Sequence, residues 1–238
     1  MNSINAELAA ELHHALLDAS ANNTVRVVLL TGEGRAFCAG QDLDEVDPKR
    51  NEQFSVGDVI RDRYNPLARQ LYSINKPTVC AVNGVAAGAG AIIALSCDFV
   101  LASQNAKFIQ SFCNIGLIPD TGGSHILPRL VGMAQAKAMC ILGTPVSAHD
   151  AKTLGMIYDT YPQDQLLVKA SELTKLLAAK PTSSIGLTKK ALNESFVNSF
   201  DEQLQLEEKL QREAAATDDF KEGINAFFEK RDACFKGQ

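Results

Sequence analysis

Apolar residues at Ile4, Leu8, Leu12 and Leu16 recur every four positions and predict an amphipathic helix over residues 5–20. Residues 25–31 are almost continuously apolar, which predicts a strand buried on both faces. A turn at 32–34 follows, then a short extended piece over 36–43 that stops at Gly40. Residues 44–63 mix acids and bases and read as a loop with a helix start. Residues 66–74 read as a helix, and 76–82 as a buried strand. Beyond the turn at Asn83-Gly84, a run of small residues leads into an apolar helix over 91–95. A strand is expected at 99–102, with 107–109 pairing beside it. Residues 114–120 form a connector, 121–129 open a helical stretch and 130–142 continue as a helix. Ser147 is the expected N-cap of a helix over 148–154. The last strand is expected at 156–158, before helices over 166–179, 184–196, 201–214 and 218–236, the last capped by Thr217. The pattern predicts an α/β chain in two parts. Residues 1–145 form an alternating core, and 146–238 a helical region with too little core of its own, expected to pack on a neighbour.

The segment 83–98 organises the rest. Ala86, Ala87, Gly88, Ala89 and Gly90 would leave the first backbone N–H groups of the following helix uncovered. Such groups suit an anion or a developing oxyanion. The same small residues would equally serve a close helix-packing seam.

Composition narrows the partners. The 238 residues are 46% hydrophobic and 21% charged, with a net charge of −5 and no basic block. Nucleic acid and anionic membrane surfaces are therefore not expected partners. No apolar run is long enough to span a bilayer, and the N-terminus has no signal-like core, so a cytoplasmic location is expected. Six scattered cysteines without a Cys-x-x-Cys pair read as mostly buried, reduced thiols. The four histidines show no metal spacing, and His125 reads as structural. A dinucleotide fingerprint begins at Gly32 and Gly34 but fails at Phe37. Neither a Walker loop nor a Gly-x-Ser-x-Gly elbow is present.

Three blocks change the picture: 34–43 (Gly-Arg-Ala-Phe-Cys-Ala-Gly-Gln-Asp-Leu), 81–90 (Ala-Val-Asn-Gly-Val-Ala-Ala-Gly-Ala-Gly) and 116–123 (Gly-Leu-Ile-Pro-Asp-Thr-Gly-Gly). In this order and spacing the chain resembles the crotonase family of enoyl-CoA hydratases and isomerases over nearly its whole length. The resemblance implies a spiral of ββα turns and a C-terminal helical region that builds trimers or hexamers. It implies a thioester enolate whose oxygen is held by the backbone N–H groups of Gln41 and Ala89. Ala39, Gly40, Asp42, Leu43, Gly88, Ile92 and Phe112 are the expected substrate neighbours, Asp42 as a turn cap rather than a reactant. No cofactor or metal is implied beyond the CoA of the substrate.

The resemblance also places two hydratase glutamates at positions that hold Ile92 and Phe112 here. Apolar side chains cannot activate water, so little hydratase activity is expected. Asp120 remains, where isomerases of the family carry their base; its alternative role is a helix cap. Around 40–43, 63–67 and 117–120 the wording most resembles family members that rearrange a ring-epoxidised phenylacetyl thioester to an oxepin, and the resemblance implies that reaction or a 3-enoyl to 2-enoyl shift. The alternatives are a silent scaffold partnered with a paralogous hydratase, or a hydratase with unconventional residues. Arg35, Lys49 and Lys230 are the candidate cations for CoA phosphates. Relatives start with a hairpin ahead of the first helix, whose absence would leave the 25–30 strand with an unpaired edge.

Overall fold

The structure, a computed structural model, describes residues 1–46 and 55–238. Helix α1 (Ala6–Ala21) opens it, capped by Asn5, whose side chain accepts from the Leu8 N–H. The chain then repeats one plan: strand, short turn, strand, helix. β1 (Val28–Thr31) and β2 (Ala36–Cys38) are followed by α2 (Val56–Val59), a π-helical turn (Ile60–Tyr64) and α3 (Asn65–Ser73). β3 (Thr78–Val82) and β4 (Val85–Ala87) feed α4 (Ala89–Leu95). β5 (Phe99–Ser103) and β6 (Lys107–Ile109) lead through a 3-10 turn (Ser111–Ile115) to α5 (Gly123–Leu142). β7 (Val146–Ser147), α6 (Ala148–Thr153) and β8 (Asp159–Tyr161) close the sheets. Helices α7 (Leu166–Ala178), α8 (Thr182–Glu194), α9 (Phe200–Ala215) and α10 (Asp218–Glu229) complete the chain.

Each of the first three turns of the spiral gives its first strand to one sheet and its second to another, and the last pair reverses this, β7 joining the second sheet and β8 the first. The first sheet has the order β1-β3-β5-β8 and is parallel throughout. The second has the order β2-β4-β6-β7, parallel except for the β6–β7 pair. β3 shows why its sequence is continuously apolar. Cys80 and Val82 face the main core with Leu67, Ile93 and Leu127, while Val79 and Ala81 face Leu166, Ala170 and Leu177 around α7. Successive side chains of a strand point to opposite faces, so a covered sheet needs both faces apolar.

Several expectations are corrected. Residues 107–109 pair with β4, not beside 99–102, because the turn after β5 carries the chain across to the second sheet. β1 is half-buried on one face only: Val28 and Leu30 pack against the main core, while Leu29 is 39% exposed at the edge of the sheet. The last strand lies at 159–161 rather than 156–158, where Met156 and Ile157 are buried in a turn. The small-residue helix begins at Ala89, two residues early. The final helix stops at Glu229, with Lys230 in the left-handed region as its C-cap. β7 and β8 join both sheets, so the sheets extend past residue 145. Cys38, Cys80 and Cys97 are buried thiols, but Cys113 and Cys234 are exposed.

Candidate active site

Two backbone segments meet at the ends of β2 and β4. After β2 the chain turns at Gly40, where φ is +89°. The Ile4 N–H donates to the Gly40 carbonyl at 2.7 Å, and the Asp42 N–H donates to the Ile4 carbonyl at 3.0 Å. This parallel bridge uses the groups flanking Gln41, so the Gln41 N–H faces away from Ile4. After β4, Gly88 adopts φ +52° and ψ −129°, and α4 starts at Ala89. The first N–H groups of a helix have no partner within it. Among the described residues neither the Gln41 nor the Ala89 N–H meets an acceptor. The segments are close: a methyl group on Gly40 would lie 2.8 Å from the Ala87 carbonyl oxygen and 3.8 Å from the Ala89 nitrogen.

These donors open onto a cavity of about 450 Å³. Leu43, Val59, Ile60, Phe112 and Leu117 make much of its wall apolar. Among the described residues Asp120 is the only carboxylate lining it. Burial pushes the Asp120 carboxyl above the usual range, against hydrogen bonds from Thr121 and from its own backbone N–H. The Thr121 hydroxyl donates to Asp120 Oδ1 at 2.8 Å. The carboxylate does not cap α5, whose N-cap is Gly122 and takes no side-chain bond. A half-buried carboxylate that lines the same cavity as two unpaired N–H groups can exchange a proton with a carbon whose negative charge those donors stabilise.

The cavity gathers most of the site residues expected from the sequence: Ala39, Gly40, Gln41, Leu43, Gly88, Ala89, Phe112 and Asp120. Two lie elsewhere. Asp42 accepts from the Asp44 N–H at 3.1 Å and from the Ser3 hydroxyl at 3.3 Å, which is a turn-holding role. Ile92 is fully buried in the core, against the position where a side chain on Gly123 would stand. Every residue of α4 is buried, so helical spacing alone does not distinguish its cavity face from its core face. Of the candidate phosphate cations, Arg35 and Lys230 are exposed and do not line the cavity, and Lys49 lies outside the described residues.

Tyr64 is the residue that sequence reasoning missed. It lines the cavity at 2% exposure, and its hydroxyl donates to Gln41 Oε1 at 2.7 Å. A buried tyrosine hydroxyl needs such a partner. Burial, then the nearby Asp120 charge, pushes its pKa up, so it stays a donor. The Gln41 amide also donates to the Asp42 carbonyl at 3.0 Å. Beside it Arg63 pairs with Glu45, which accepts from the Ala6 N–H at 3.1 Å. These bonds tie the Gln41 segment to the π-helical turn and to α1. Removing one hydroxyl while keeping the ring should cost about 1 kcal/mol, or about five-fold in kcat, for Tyr64→Phe. Steady-state kinetics checks this, with KM little changed.

The model of the Enoyl-CoA hydratase/isomerase family matches residues 1–238. The chain belongs to that family. It is 44% identical over 240 residues to the 1,2-epoxyphenylacetyl-CoA isomerase of Escherichia coli (strain K12), covering 100% of this chain and 91% of the relative. It is 41% identical over 238 residues to a probable enoyl-CoA hydratase of Rhodobacter capsulatus, with the same coverage of 100% and 91%. The crystal structure of an enoyl-CoA hydratase/isomerase from Mycobacterium abscessus superposes with a TM-score of 0.94 at 34% identity, covering 99% of this chain and 91% of that one. The two-sheet spiral with its C-terminal helices is thus the crotonase fold of the enoyl-CoA hydratase/isomerase family. Among the described residues no group of three histidine, cysteine or carboxylate side chains converges as a metal site. No described helix is long and apolar enough to cross a membrane.

Proposed function

We propose that this family member isomerises CoA thioesters by moving one proton with Asp120. The observation that carries the reading is a cavity lined, among the described residues, by a single half-buried carboxylate and by two unpaired backbone N–H groups. Asp120 removes a proton from the carbon next to the thioester carbonyl. The electron pair moves onto the carbonyl oxygen, which the N–H groups of Gln41 and Ala89 hold. The carboxylic acid returns the proton two carbons further along, and the double bond shifts from the 3- to the 2-position. No cofactor is needed for that balance. The same enolate chemistry suits a ring-epoxidised phenylacetyl-CoA rearranging to an oxepin, a reading supported by the name of the 44%-identical relative.

Addition of water needs a second group to hold and activate it. Phe112 occupies one expected glutamate position on the cavity wall, and Ile92 occupies the other in the core. Purified protein given a 3-enoyl-CoA should form the conjugated thioester, read by its absorbance, and should add little water to a 2-enoyl-CoA. Hydration without isomerisation would sink the proposal in favour of a hydratase. Silence on 3-enoyl and epoxide substrates from a folded, CoA-binding protein would favour a scaffold that partners an active hydratase. Exposed Phe196, Phe200, Phe227 and Phe228 on the C-terminal region support assembly as a trimer or hexamer. Light scattering on an eluting peak checks the mass.

A further inference from the structure

Asp120 and Gly123 close a turn, with the Gly123 N–H donating to the Asp120 carbonyl at 2.7 Å. The two residues between them, Thr121 at φ +54° and Gly122 at φ +89°, both lie in the left-handed region. This is the pattern of a type I′ turn, in which glycine and asparagine fit with least strain. A β-branched residue is poorly suited to a positive φ. Threonine nevertheless stands there, 2% exposed. Its hydroxyl is spent on Asp120 Oδ1, at 2.8 Å. The turn is also a partition. Asp120 borders the acyl cavity, whereas Thr121 and Gly122 border a second one of about 530 Å³.

The terminal torsion of an aspartate is broad, so an unsecured carboxyl group samples many orientations. Proton transfer to and from carbon needs one of them. We infer that Thr121 is a positioning residue for Asp120: its hydroxyl fixes one carboxylate oxygen and leaves the group oriented for proton transfer in the acyl cavity. This rests on the isomerase reading, in which Asp120 is the base. The unfavourable backbone at Thr121 is retained because glycine or asparagine would supply the turn without this hydroxyl. A hydroxyl donated to a carboxylate also favours its charged form. It therefore opposes the upward push of burial.

The test compares Thr121→Ser, Thr121→Val and Thr121→Gly with the parent. Turnover of a 3-enoyl-CoA is followed against pH. The Asp120 carboxyl is titrated by carbon NMR, its signal assigned by its loss in Asp120→Asn. Thr121→Ser should stay within about two-fold of the parent, with its acid limb unmoved. Thr121→Val and Thr121→Gly should each lose about ten-fold in kcat, with KM little changed and the carboxyl midpoint about one pH unit higher. Glycine separates the two roles, because it relaxes the turn while removing the hydroxyl. Parent-like turnover in Thr121→Gly, an unmoved midpoint in Thr121→Val and Thr121→Gly, or a serine variant as slow as valine would overturn the inference. If Thr121→Val does not fold, Thr121→Gly decides alone. If the parent itself shows no isomerisation, the base reading fails, and the NMR midpoints still report whether Thr121 holds the carboxylate.

Discussion

Asp120→Asn should abolish most isomerisation, lowering kcat on a 3-enoyl-CoA by about 10²- to 10⁴-fold, the usual contribution of a positioned acid–base group. The amide keeps the shape and still accepts from the Thr121 hydroxyl, so KM should change little. The same substitution should raise thermal stability at neutral pH. Burial lifts the folded-state pKa of Asp120 above its ordinary value, so the folded protein binds the proton more readily than the unfolded chain. Stability is then lost as pH rises from the ordinary aspartate value through the raised folded-state one. Asparagine has no such cost. Its advantage in Tm should be present at pH 7 and should vanish as pH falls below about 3.9, the ordinary aspartate value. Thermal melts of both proteins across pH, beside the rates, check both halves. Equal rates would assign the base elsewhere, and a lower Tm for the variant at pH 7 would mean that the carboxylate stabilises the fold.

Gly40→Ala should be nearly as damaging by a different route. Gly40 holds φ at +89°, and its added methyl would meet the Ala87 carbonyl oxygen at 2.8 Å, a backbone atom with little freedom to retreat. The two strand ends would have to part, carrying the Gln41 and Ala89 N–H groups away from a common oxygen. Loss of one such donor costs about 10²- to 10³-fold in kcat. The left-handed backbone adds a folding penalty of about 1–2 kcal/mol. Kinetics and denaturant melts should show both, and the loss should persist across pH, unlike that of the Thr121 variants. A parent-like kcat would show that the hole tolerates separation of the two segments.

Much of this site was legible before any coordinates, and the reason is that its parts are local. Gly40, Gly88 and Ala89 declare themselves because a tight turn and an uncovered helix start need small residues at those positions. Asp120 is singled out by the family resemblance, which implies an isomerase base there, since spacing alone fits a helix cap as well. What stayed hidden depends on contacts between distant segments. Tyr64 and Gln41 lie 23 positions apart, and nothing in either residue type announces their bond. The left-handed backbone of Thr121 contradicts its propensity, so no propensity argument predicts it. Residues 107–109 read correctly as a strand, but strand character does not reveal which of two sheets accepts it.

The two N–H donors come from strand ends on successive turns of the spiral, whereas much of the acyl cavity wall comes from the connections around 43–64 and 112–120. The donors and much of the wall are therefore supplied by different parts of the chain. Substitutions at Leu43, Val59 or Phe112 should change which acyl group is accepted, while the two N–H donors belong to the backbone of Gln41 and Ala89 and are not removed by exchanging those wall side chains. A lineage built this way can trade substrates without first losing its chemistry. That separation fits relatives at 44% and 41% identity which bear the names of different reactions.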